Sequence, residues 1–171
     1  MTHVKPDKHS QHSKMLTVHE AVEKFYELDG DTKDLVRTTF DRMDEQAVMR
    51  ASCIFMHLFQ EHPGYKQLWR QFRDIPDSAL MGASEIQHHA EVYMNGLRAV
   101  VHALDDRQKL ELALKPLVDT HRRKGIVRRN FMNMLNALYE TLRETLSSDY
   151  NQGVADAWKK MFLIFGETVP N

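Results

Sequence analysis

Cysteine occurs once, at Cys53, proline five times and glycine seven times in 171 residues. No stretch approaches the roughly 18 consecutive apolar residues of a membrane-spanning helix. Each scarcity excludes something. A lone cysteine closes no intramolecular disulfide, and the chain does not open on a basic segment followed by a short apolar run and a cleavage site, so the expected setting is reducing and cytoplasmic. Attachment of a longer parent chain to a membrane surface stays open, because a lipid anchor needs no spanning helix. Lys+Arg at 23 against Asp+Glu at 24 leave no long-range field to recruit a phosphate backbone, so nucleic acid is not an expected partner. Glycine and proline fall mostly between periodic segments, and no run alternates with the period of two that a half-buried strand requires. The expected class is all-α, in one domain with one core.

What is present is helical period. Residues 1–16 are polar and contain Pro6, and they read as a flexible tail whose His3, His9 and His12 are weak metal candidates at most. From Thr17 onward, Val18, Ala21, Val22, Phe25 and Leu28 predict a short extra helix closed by Asp29 and Gly30, which sets the domain at 17–171. Further helices are predicted over about 31–44, 45–61, 64–71, 84–104, 107–121, 127–146 and 151–168. Breaks fall at His62-Pro63-Gly64, Pro76 to Ser84, Asp105-Asp106, Lys124-Gly125 and Ser147 to Asn151.

Helical phase sorts the histidines. Between Ala83 and Leu104, the residues Ile86, His89, Ala90, Tyr93, Leu97, Val100, Val101 and Leu104 form one apolar stripe, while Glu85, His88, Asn95, Arg98 and His102 form the opposite face. His89 therefore points inward and His88 outward. An inward histidine must satisfy two ring nitrogens, and it does so either by hydrogen bonds within a core or by ligating a metal. His121 shares a face with Leu114 and Leu117, in a segment where Pro116 is suited to the first turn of a new short helix. Two readings of it are open: a helix-end histidine bonded to the last carbonyls, or an imidazole presented to a flat apolar cofactor. Phe55, Phe59, Pro63, Trp69 and Phe72 place large rings along one helix and across a turn, which by itself describes a core.

Taken in order, an aromatic helix running into His62-Pro63, then Trp69 and Phe72, then the inward His89, then Leu117, His121 and Gly125, the chain resembles the globin family over about Lys33 to Val169. The resemblance implies a globin-like fold of about seven to eight helices, here with an extra N-terminal helix and tail. It implies His121 as the proximal iron ligand with Leu117 packed under the ring, and His89 as the distal residue with Tyr93 overhanging the iron one turn later. It also implies that Phe55 faces bound ligand, that Trp69 and Phe72 pack on the haem, and that Val127, Phe131 and Leu135 touch it from the following corner and helix. His88 in the distal role would bring Val92 to the overhanging place instead, although its polar phase favours His89. Two departures stand out. The family has phenylalanine as a rule where Trp69 stands, and a smaller aliphatic residue where Tyr93 stands, so a narrowed distal pocket is expected.

The implied cofactor is haem b, iron protoporphyrin IX, with its propionates near Arg122, Arg123, Arg128 or Arg129. The implied partners are a diatomic gas (oxygen, nitric oxide or carbon monoxide) or a small redox partner, and oligomerisation is left open. Crowding by Phe55, Tyr93 and Trp69 favours His89 as a second iron ligand, because an internal imidazole is always at high local concentration. That state suits redox or gas sensing or electron transfer. Reversible oxygen binding by five-coordinate iron is the alternative, and a haem-free helical interaction module is the third. Turnover is not expected, since no reductase domain fits within 171 residues. Ten methionines and Cys53 leave oxidative regulation open, though Cys53 lies mid-helix in a segment read as buried.

Overall fold

Short polar side chains decide where four of the eight described α-helices begin. In the computed structural model, which describes residues 14–171, Thr17 opens α1 (Val18–Tyr26) with a reciprocal cap: its hydroxyl accepts the Glu20 amide at 3.1 Å and its own amide donates to the Glu20 carboxylate at 2.7 Å. His3, His9 and His12 lie outside the described residues. Asp29 caps α2 (Gly30–Asp44) by accepting the Thr32 amide at 2.8 Å. Then come α3 (Ala47–Glu61), α4 (Asp77–Leu80) and α5 (Ser84–Val101). Asp106 caps α6 (Arg107–Arg123), a positive φ of 69° at Gly125 turns the chain into α7 (Arg128–Leu146), and Asn151 caps α8 (Gln152–Glu167). Among the described residues there is no strand, as expected. Among the described residues, no helix is long and apolar enough to cross a membrane.

Three local readings change. The segment expected as a helix over 64–71 is a 3-10 turn, Pro63–Leu68, after which Trp69 is extended. Pro63 lacks the amide that would continue α3, and the tighter turn reverses the chain in few residues. The four-residue α4 fell in a stretch read as a break, because one turn carries no period to detect. Pro116 does not start a new helix: α6 is continuous through it. The bond it forfeits is to the carbonyl of Leu112, a residue that is 71% exposed.

Packing follows the apolar faces. α3 packs on α5 and α7, α7 on α8, and α2 on α8 and α5. Trp158 of α8 is fully buried, and its indole N–H donates to the Thr39 hydroxyl at 2.9 Å while that hydroxyl donates to the Leu35 carbonyl at 2.6 Å. The added helix α1 packs on α6 and α8. It is tied there by Arg107, which pairs with Glu23 at 2.8 Å and covers the Tyr26 ring at 3.6 Å. The buried Lys33 reinforces the junction by donating to the Tyr26 carbonyl at 2.6 Å and to Asp105 at 2.9 Å. Ahead of α1, the Leu16 amide donates to the Glu167 carbonyl at 2.8 Å and ties the chain to the end of α8.

The caps give a direct test of this account. Asn151 accepts the Val154 amide at 3.2 Å, and Asn151→Ala is expected to lower stability by about 1 kcal/mol. Urea unfolding should show a lower midpoint at an unchanged slope, and an unmoved midpoint would show that the cap contributes nothing.

Candidate functional site

The buried stripe of α5 runs through Ile86, Ala90, Leu97 and Val101, and His89, Tyr93 and Gly96 beside it face a cavity. To the same cavity α6 presents Leu117 and His121, and α7 presents Phe131 and Met134. It is largely apolar, with a volume of about 390 Å³. His88 is on the other side of α5, its side chain 79% exposed and 4.0 Å from Glu91. The inward register of His89 is therefore the one the fold adopts. A larger surface groove of about 630 Å³, lined by Asp31, Arg42 and Asp149 among others, holds no imidazole.

The two cavity histidines are prepared differently. The Nδ1–H of His121 donates to the Leu117 carbonyl one turn back at 2.8 Å. That bond fixes the tautomer and leaves Nε2 as a bare lone pair. Burial pushes the His121 pKa below its ordinary value, against the opposing pull of the Leu117 carbonyl. Phe131 lies beside the ring at 5.1 Å between centroids.

His89 has a different partner. Its Nε2 accepts the indole N–H of Trp69 at 2.7 Å. Phe55 packs on the ring at 4.9 Å, and Trp69 is itself stacked on Phe72 at 5.8 Å and 18°. Burial first, then the charges of Lys124 and His121, push the His89 pKa down to about 4. Both imidazoles are thus neutral at pH 7. The hydroxyl of Tyr93 is buried without a hydrogen-bond partner, and burial raises its pKa, so it stays a phenol.

Neutral imidazoles couple the haem-free fold to acid. Unfolded histidine protonates near 6.5 and His89 only near 4, so between those values the unfolded state holds more protons and stability falls as pH falls. Above 6.5 this group contributes no slope. The urea midpoint is expected to drop from pH 7 to pH 4.5, and His89→Leu should flatten that drop. Equal slopes in both proteins would remove His89 as a cause.

Trp69, Tyr93, Leu117 and Phe131 line the cavity with the two histidines. Phe55 and Phe72 form a second layer: both are buried, and both touch the His89 ring without lining the cavity. Val127 and Leu135 differ from expectation, because Ile126 and Met134 line the cavity in their place. Val127 is the cap residue of α7, its amide donating to Asn130 at 2.9 Å, and Leu135 turns one residue further into the core, at 4% exposure. A face shared by Phe131, Met134 and Leu135 is visible in the sequence, but the roll of α7 chooses between the last two.

The expected cations also change. Arg122 is engaged elsewhere, donating to the Thr168 and Leu16 carbonyls at 2.8 Å each. Lys124, read from sequence only as part of a helix stop, is the basic residue lining the cavity mouth. Cys53 is half-buried, and desolvation with Glu144 nearby raises its thiol pKa, which opposes thiolate character.

Two imidazoles alone are an incomplete ligand set for a transition metal. The apolar walls between them suit a flat macrocycle that brings the remaining donors, and the bare Nε2 of His121 would be available to its metal. The residues present therefore fit a haem.

A family model described as Globin matches residues 52–168. A globin of Aequiyoldia eightsii is 26% identical over 129 residues, covering 75% of this chain and 87% of that protein. A neuroglobin of Danio rerio is 26% identical over 144 residues, covering 84% of this chain and 89% of that one. The solved structure of a hexa-coordinate haemoglobin of Drosophila melanogaster superposes with a TM-score of 0.72 at 16% identity, covering 82% of this chain and 93% of that one.

Proposed function

The chain belongs to the globin family, and we propose that it holds one haem b through His121 on the proximal side and His89 on the distal side, for redox or gas sensing or electron transfer. Membership implies a haem cofactor. The b type is supported by the single cysteine, since covalent attachment would use a pair of them next to a histidine. The observation that carries the reading is the presence of two neutral imidazoles, on α5 and α6, in one apolar cavity. When bound, the haem iron supplies a site for a diatomic gas and for one-electron exchange.

The chain's own residues do the rest. His121 is held in one tautomer by the Leu117 carbonyl and aims Nε2 into the cavity. Leu117, Phe131 and Met134 exclude water from the proximal side, and Lys124 offers a cation to the propionates at the mouth. Phe55 and Phe72 brace His89 from behind. One observation favours a second reading, reversible gas binding without distal ligation: His89 Nε2 is already engaged by Trp69. Oxygen, nitric oxide and carbon monoxide remain the candidate gases, and a small redox protein the candidate partner.

The test is the visible spectrum of the purified, dithionite-reduced protein. Sharp, split low-spin bands that disappear in His89→Ala support two histidine ligands. A broad high-spin band in wild type removes His89 as a ligand and leaves the gas-binding reading, and no bound haem after reconstitution removes both in favour of a haem-free module.

A further inference from the structure

His89 has one ring nitrogen at its tip, and the structure gives that nitrogen a protein partner. The Trp69 indole N–H reaches Nε2 at 2.7 Å. The lone pair that accepts this hydrogen is the one an iron would take from the same imidazole, and it serves one partner at a time.

We propose that Trp69 is a positioning residue that competes with iron for Nε2 of His89, and so sets how often the distal imidazole is drawn back from the haem. The proposal rests on the haem reading above. Its physical basis is that Trp69 cannot follow the imidazole. The indole is stacked on Phe72 at 5.8 Å and wedged edge-on against Phe55 at 5.6 Å and Phe59 at 5.4 Å. Phe59, Phe55 and Phe72 are at 6%, 1% and 0% exposure, and the Trp69 carbonyl accepts the Arg73 amide at 3.0 Å, which holds the backbone beneath the indole. A ring held on three sides offers its N–H at one point in space. When His89 moves off that point the hydrogen bond is lost outright, so the bond weighs on the withdrawn state alone. A phenylalanine at this position would fill much of the same space and donate nothing.

A buried neutral hydrogen bond of this kind shifts an equilibrium by on the order of fivefold. Removing the donor releases His89 to iron, and an external ligand must then displace a stronger competitor.

Two measurements test this, one without haem. In the haem-free, nitrogen-15-labelled protein, long-range proton–nitrogen spectra should show the His89 proton on Nδ1 with Nε2 bare, and the Trp69 indole hydrogen should exchange slowly. In His89→Ala that exchange should accelerate, and in Trp69→Phe the His89 proton should move towards Nε2. An indole that exchanges equally fast with and without His89 overturns the proposal whatever the haem does.

The second measurement uses carbon monoxide as a probe of the reduced, haem-loaded protein. Trp69→Phe should weaken its apparent affinity about fivefold in the wild-type background and leave it unchanged in His89→Ala. A change of equal size in both backgrounds means that Trp69 acts by bulk, and overturns the competition while two-histidine ligation stands. If His89→Ala does not alter the reduced spectrum, the distal-ligand reading fails and the competition is overturned with it, while the exchange measurement separately reports the Trp69–His89 contact.

Discussion

His121→Ala is expected to weaken haem retention by at least about a hundredfold, a larger loss than removal of a partner that merely orients a ligand. The substitution deletes the one cavity nitrogen that the fold leaves bare, Nε2, since Nδ1 is committed to the Leu117 carbonyl. No neighbour can fill the α6 side in its place: His89 reaches the cavity from α5, and Lys124 is at the mouth. Haem transfer from the variant to an excess of a haem-free acceptor globin should be fast, and added imidazole should slow it by refilling the space left by the ring. The haem-free fold should be little affected, because His121 is half-buried and contributes one hydrogen bond within its own helix. A variant that keeps its haem and its spectrum would show that His121 is not the ligand, and the proposed function would fall with it.

Trp158→Ala is expected to cost about 3–5 kcal/mol, a large part of the stability of a typical domain. Trp158 is at 0% exposure where α8 meets α2, and nothing nearby can collapse into the space of an indole in a close-packed interior. Trp158→Phe separates the two contributions. It keeps most of the volume and removes the N–H that donates to Thr39 at 2.9 Å, but the Thr39 hydroxyl still donates to Leu35, so the cost should be about 1–2 kcal/mol. Urea unfolding of both variants decides the matter. A phenylalanine variant as weak as the alanine variant would mean that the hydrogen bond dominates. An alanine variant within about 1 kcal/mol of wild type would mean that α8 is not anchored here.

The candidate site was legible in part, and the boundary has a physical form. His89 was separable from His88 because consecutive helical residues point about 100° apart, and a stripe from Ile86 to Leu104 is long enough to fix the phase. His121 was recognisable beside Leu117 for the same reason. Leu135 is adjacent to the equally apolar Met134, and only the roll of α7 against α3 and α8 turns Met134 to the cavity; Val127 is taken up as the cap of α7, and Ile126 before it lines the cavity. Arg122 looked like a free cation in a basic run. It is spent on the Leu16 and Thr168 carbonyls, two groups 106 and 46 residues away in the chain, which no local pattern could connect to it.

Periodicity, caps and breaks were enough for an all-α chain, an added first helix and an inward histidine on each of two helices, because these follow from interactions within a few residues. The partner of each imidazole nitrogen was not written there. Trp69 and His89 are 20 residues apart on different elements, and they meet because the Pro63 turn carries the indole back under α5. Hydrogen-bond pairing is a matter of tenths of an ångström and of direction, and at that scale the packing of whole helices decides which atoms face one another.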